Sequence, residues 1–112
     1  VVFCCVDSIS TRRLVWESLR NDVALFLDGR MSAEVIRVLA VDSPVTDEYY
    51  PTTLFDADEA FAGACTARST IYSAAIAAGL MVGQFARWLR NLAVERDLTL
   101  NLLAAELTAQ AC

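Results

Sequence analysis

The chain has 112 residues, 56% of them hydrophobic, a formal charge of −5 and no histidine, and all nine of its cations are arginine. That length allows one domain with a core of its own, and the acidic balance with scattered cations disfavours a nucleic-acid partner. With neither Lys nor His there is no phosphate-loop lysine, Schiff base, imidazole base or histidine metal site, so any chemistry falls to Asp, Glu, Arg, Cys, Ser, Thr or Tyr.

The hydrophobic fraction exceeds the roughly 45–50% of an ordinary globular domain. An apolar surface that pairs with further chain or with a second subunit is therefore expected. Cys4, Cys5, Cys65 and Cys112 show no Cys-x-x-Cys spacing, and no stretch reads as a signal peptide. A reducing, cytoplasmic setting is the expected one.

Residues 1–7 form an uninterrupted apolar run that ends on Asp7, followed by Ser8. Such a run predicts a strand buried on both faces, as in a parallel sheet, with an acid at its exit, where open α/β sheets bind ligands. It starts at residue 1 without an initiating Met, and the chain is expected to be cut from within a longer domain. On a strand, Cys4 and Cys5 point to opposite faces and act as small hydrophobes.

Ser8 or Ser10 can cap a helix through residues 11–20, with Ile9, Leu14, Val15 and Leu19 on one face. Residues 23–27 predict a second buried strand, closed by Asp28-Gly29, and residues 34–41 a third, rich in β-branched side chains. Strand, helix and strand make a βαβ unit. Residues 42–67 lack periodicity, carry Pro44 and Pro51 and include Asp56, Asp58 and Glu59. This long crossover loop is either a lid or a solvated acidic segment, in which Tyr49, Tyr50, Phe55 and Phe61 are expected to be anchors.

Residues 69–89 predict a long helix with Ile71, Ala75, Ala78, Val82, Phe85 and Leu89 at helical spacing, Gly79 and Gly83 in a smooth strip, and Arg87 and Arg90 at the end where cations suit the dipole. A membrane span is disfavoured by Thr70, Tyr72, Ser73 and Gln84. Residues 98–102 alternate as an edge strand does, and residues 104–111 are compatible with helix.

Two constellations could carry chemistry. Asp7, at a strand exit beside Ser8, could hold magnesium or a polar ligand group, or could simply cap the following helix. Cys65 precedes the long helix and lies three residues from Arg68, surroundings that lower a thiol's pKa; an inert, half-buried thiol is the other reading.

The segment Cys5-Val6-Asp7-Ser8-Ile9-Ser10-Thr11-Arg12-Arg13 resembles the Cys-Thr-Asp-Asn-x-x-Thr-Arg motif of the ThiF, MoeB and HesA adenylyltransferases, relatives of the ubiquitin-activating enzymes. The order downstream is similar too: strands to Asp28-Gly29 and over 34–41, a crossover loop, Cys65 in Ala64-Cys65-Thr66-Ala67, a small-residue helix and a closing strand. The resemblance implies an α/β, Rossmann-like partial sheet, with residues 1–112 as the C-terminal part of one domain and the glycine-rich nucleotide-binding half before Val1. It implies ATP and magnesium as reactants, used to adenylate the C-terminal carboxylate of a ubiquitin-like or sulfur-carrier protein, and a homodimer.

By the same resemblance Asp7 is the magnesium and nucleotide carboxylate, Ser8 stands where the family has a nucleotide-contacting Asn, and Cys65 stands at the thiol-reactive cysteine. The paired Cys-x-x-Cys motifs of zinc-bearing members are absent, so no zinc site is expected. The fragment alone is expected to be inactive. Two rival expectations stand beside this one: a non-catalytic interaction or dimerisation module, and part of a Rossmann-like domain for another nucleotide cofactor.

Overall fold

The computed structural model describes residues 1–55 and 70–111. In chain order it contains β1 (Val2–Cys4), α1 (Ile9–Leu19), β2 (Phe26–Ser32), β3 (Val35–Val41), α2 (Pro44–Tyr49), a 3-10 turn (Tyr50–Thr53), α3 (Ile71–Leu89), β4 (Glu95–Asn101) and β5 (Glu106–Ala111). The strands form one five-stranded sheet in sequence order. The fold is α/β with a mixed sheet: β1 and β2 are parallel, and every other pair is antiparallel.

Alternation along β2 and β3 sets the layers, because successive strand residues point to opposite faces. Leu25, Leu27, Ile36, Val38 and Ala40 pack with Leu98 beneath Ala77 and Met81 of α3. Phe26, Leu39 and Val41 face the other way, onto Cys4, Trp16 of α1, Tyr50 and Leu54. The sheet is thus sandwiched between α3 and the layer of α1 with the Tyr50–Leu54 segment.

The βαβ unit is present as β1–α1–β2, but the parallel sheet expected from the first apolar run is confined to that one pair. Ser32 pairs with Val35, and the two intervening residues can join only antiparallel strands. Ala33 takes a left-handed φ of 52° in this turn. The first strand stops at Cys4, short of the expected Asp7, with Cys4 buried and Cys5 exposed as alternation requires.

β2 does not close at Asp28-Gly29; both residues pair within the hairpin, opposite Leu39 and Val38. Asp28 is accepted in the interior because two guanidiniums meet it there. Gly29 is required by close approach: a Cβ on it would lie 2.5 Å from Met81 Sδ.

The helices form where expected, but they turn different faces inward. In α1 the buried pair is Arg12 and Trp16, one turn apart, while Leu14 is 64% exposed. Trp16 wins the central position because its ring packs against both Phe26 and Tyr50, at 5.1 and 4.7 Å between centroids; Ile9 and Val15 pack at its margin.

In α3 the inward residues are Ser73, Ala77, Met81 and Gln84, with Ile76, Leu80, Phe85 and Trp88 beside the core. Ile71 is 88% exposed, and Val82 and Leu89 are exposed as well. A helix apolar on every side carries little periodic signal to orient it. Its two buried polar groups are bonded: Ser73 Oγ meets Thr70 Oγ1 at 2.8 Å, and Gln84 bonds both the carbonyl and the N–H of Glu95, at 2.8 and 3.3 Å. Among the described residues no helix is long and apolar enough to cross a membrane.

Residues 106–111 form β5, not the expected helix. Asn101 Oδ1 accepts from the N–H groups of Leu103 and Ala104 and turns the chain back, so that Leu107 and Ala109 lie opposite Leu100 and Leu98. Part of the expected loop over 42–67 is ordered as α2, which begins in a reciprocal Ser43–Thr46 capping box, and the 3-10 turn. Asp56, Asp58, Glu59, Phe61, Cys65 and Arg68 lie outside the described residues.

Candidate functional site

Asp7 is exposed, in the bend beyond the carboxyl end of β1. Ser8, not Asp7, caps α1: its Oγ accepts from the Thr11 N–H at 3.2 Å and donates to Thr11 Oγ1 at 2.7 Å. The capping alternative for Asp7 is therefore taken by its neighbour, which leaves the carboxylate open to solvent. With its proton donated to Thr11, the Ser8 hydroxyl can meet a ligand only as an acceptor.

Behind this exit lies a buried ionic cluster. Asp28 is fully buried, and its Oδ1 stands 2.7 Å from Arg12 Nε. Its Oδ2 accepts from Arg30 Nε at 2.9 Å and from the Tyr50 hydroxyl at 2.7 Å. The Arg12 guanidinium also donates to the carbonyls of Val6 and Gly29. Arg30 reaches the carbonyl and hydroxyl of Thr53, both at 2.9 Å. The neighbouring Arg13 donates to the Leu54 carbonyl.

Two guanidiniums offset the cost of burying the Asp28 charge, Arg30 by a hydrogen bond to Oδ2 and Arg12 by its charge 2.7 Å from Oδ1. Burial, and next the Asp28 charge, pushes the Tyr50 hydroxyl far above the usual tyrosine range. The same two causes raise the Cys4 thiol. Cys4 is thereby held in its unreactive thiol form.

A second cluster lies between β3, β4 and α2. Arg37 grips Asp97 through Nε and Nη2, at 2.9 and 2.6 Å, and Tyr49 donates to Asp97 Oδ2 at 2.6 Å. Burial alone would raise the Asp97 pKa, but the bonds from Arg37 and Tyr49 outweigh it and the carboxyl ends below its ordinary value. Arg96 stacks over the Tyr49 ring at 4.4 Å. Tyr49 and Tyr50 are thus anchors, as expected.

Of the sequence-derived site residues, Asp7 and Ser8 stand together at the strand exit, and Cys65 lies outside the described residues. The Asp28, Arg30 and Tyr50 cluster was not expected from the sequence. Its signal was the alternation Phe26-Leu27-Asp28-Gly29-Arg30, in which every second residue faces α1, masked by an Asp-Gly pair that reads as a turn.

Among the described residues no three His, Cys, Asp or Glu side chains gather as a metal-binding group. A single carboxylate still fits magnesium carried on a nucleotide, since that ion keeps several waters and binds by one or two carboxylates plus phosphate oxygens. Comparison with protein-family models and with curated proteins finds no match to this chain.

Proposed function

We propose that this chain is the C-terminal part of an adenylyltransferase of the ThiF, MoeB and HesA kind, which activates the C-terminal carboxylate of a ubiquitin-like or sulfur-carrier protein. The observation that carries the reading is the arrangement around β1: a parallel strand pair, an exposed Asp7 just beyond the strand's carboxyl end, and a Ser8-capped helix bearing Thr11-Arg12. A ligand in an open α/β sheet sits at that end of the strands.

In this reading Asp7 holds the magnesium that accompanies ATP, and Ser8 accepts from the nucleotide. The ion supplies charge neutralisation for the phosphates. Cys65 is the thiol that attacks the acyl-adenylate carbonyl, forming a thioester and releasing AMP and the thiol proton. ATP–pyrophosphate exchange by the full-length protein is expected to vanish in Asp7→Ala; retained exchange would remove Asp7 from the site. Cys65→Ser is expected to keep exchange and lose the thiol-dependent transfer.

The exposed outer face of α3 favours a second reading, a non-catalytic module for dimerisation or carrier binding. Ile71, Val82 and Leu89 are exposed there, and a Cβ at Gly79 or Gly83 would meet nothing. Carrier binding by the full-length protein without any ATP turnover would favour this reading over adenylation.

A further inference from the structure

The buried cluster grips the backbone on both sides of Asp7 rather than Asp7 itself. The Arg12 guanidinium donates to the Val6 carbonyl, whose peptide carries the Asp7 nitrogen. The Arg12 backbone N–H donates to the Ser8 carbonyl at 3.1 Å. One residue therefore fastens the carbonyl before Asp7 with its side chain and the carbonyl after it with its main chain. Arg12 is itself immobilised: it is 4% exposed, with Nε against the fully buried Asp28.

We infer that Arg12 is a positioning residue for Asp7, setting the direction in which that carboxylate leaves the strand exit. The functional side of this inference rests on the adenylation reading; the hold on the backbone does not. Lysine at position 12 would keep the charge beside Asp28 but lacks the planar fork that lets one side chain serve Asp28, Val6 and Gly29 together. Arg30 supplies the internal control. It meets the other oxygen of the same carboxylate, but its remaining bonds go to Thr53, away from residues 6–8.

The test compares Arg12→Lys with Arg30→Lys by backbone nitrogen relaxation in the 112-residue chain and by ATP–pyrophosphate exchange in the full-length protein. Order parameters at Val6, Asp7 and Ser8 are expected to fall from about 0.85 to below about 0.6 in Arg12→Lys and to stay unchanged in Arg30→Lys. The KM for magnesium ATP is expected to rise about tenfold in Arg12→Lys alone; a merely destabilising change lowers the active fraction, and so kcat, without moving KM.

Unchanged order at residues 6–8, or equal loss in both variants, overturns the positioning role, and so does lost order with an unmoved KM. Lost order confined to Arg12→Lys supports the hold even where the unmutated full-length protein shows no exchange; that outcome overturns the adenylation reading instead. If Arg12→Lys does not fold, Asp28→Glu gives the same comparison, since it keeps the charge and displaces the carboxylate that Arg12 leans on.

Discussion

The Tyr50 hydroxyl donates to Asp28 Oδ2 at 2.7 Å, and both side chains are closed to solvent. This bond ties the 3-10 turn to the middle of β2, across the aromatic cluster of Trp16, Phe26 and Tyr50. Tyr50→Phe keeps the ring and removes one bond to a buried charge. It is expected to lower stability by about 1.5–3 kcal/mol, as for hydrogen bonds to charged groups, read from the midpoint of urea unfolding. An unchanged midpoint would mean that Arg30 alone satisfies that oxygen.

Asp97 gives the chain an acid-sensitive limb. Its native pKa lies below the ordinary 3.8, so the stabilisation is complete above that value and is lost as pH falls below it through the native pKa. Asp97→Asn is expected to be less stable than the parent near neutral pH and to lose less between pH 5 and pH 2. Parallel curves for the two proteins over that range would exclude Asp97 as the source.

Gly29 and Met81 are coupled through space that holds no extra methyl. With a Cβ at residue 29 falling 2.5 Å from Met81 Sδ, Gly29→Ala is expected to cost about 1–3 kcal/mol, the range for overpacking a core. In a Met81→Ala background that cost should largely vanish. Simple additivity in the double-mutant cycle would show that the backbone, not Met81, resists the substitution.

Just past the Arg90 cap of α3, Asn91 lies in the left-handed region, φ 57°, with the Leu92 N–H bonded to the Arg87 carbonyl and the Asn91 N–H to that of Trp88. This is the Schellman arrangement, in which Gly is favoured and β-branched residues are not. Asn91→Val is expected to destabilise by at least about 1 kcal/mol, and Asn91→Gly to be neutral or better. Thermal unfolding of the pair measures both.

Asp7 takes no part in holding α1 in place. It is exposed, and Ser8 supplies the cap, so Asp7→Ala is expected to leave the unfolding midpoint within about 0.5 kcal/mol of the parent. Ser8→Ala, by contrast, should cost about 1 kcal/mol through the lost cap. A large loss in Asp7→Ala would return that residue to a structural role.

The contrast between these sites explains what could be read before the fold was known. Strands, helices and the Ser8 cap follow from local patterns: apolar runs, β-branched stretches and capping residues act over a few neighbours. Orientation of α3 does not, because it depends on Gln84 finding the Glu95 backbone and Met81 finding the gap at Gly29. β5 was hidden for a similar reason, since Ala-rich residues 104–111 become a strand only when β4 is there to pair with. Asp28 was the largest surprise, since an Asp-Gly pair reads as a turn until Arg12, sixteen residues earlier, is brought beside it.

Among the described residues every ion pair closes on a guanidinium: Arg12 and Arg30 on Asp28, Arg37 on Asp97, Arg20 on Asp47 and Arg87 on Glu95. Guanidinium stays protonated at any pH where a protein remains folded, and it is not an amine. A chain fastened this way, with no lysine anywhere, offers an activated acyl group no side-chain amine to acylate. Under the adenylation reading proposed above, self-modification of these 112 residues is left to hydroxyls and thiols.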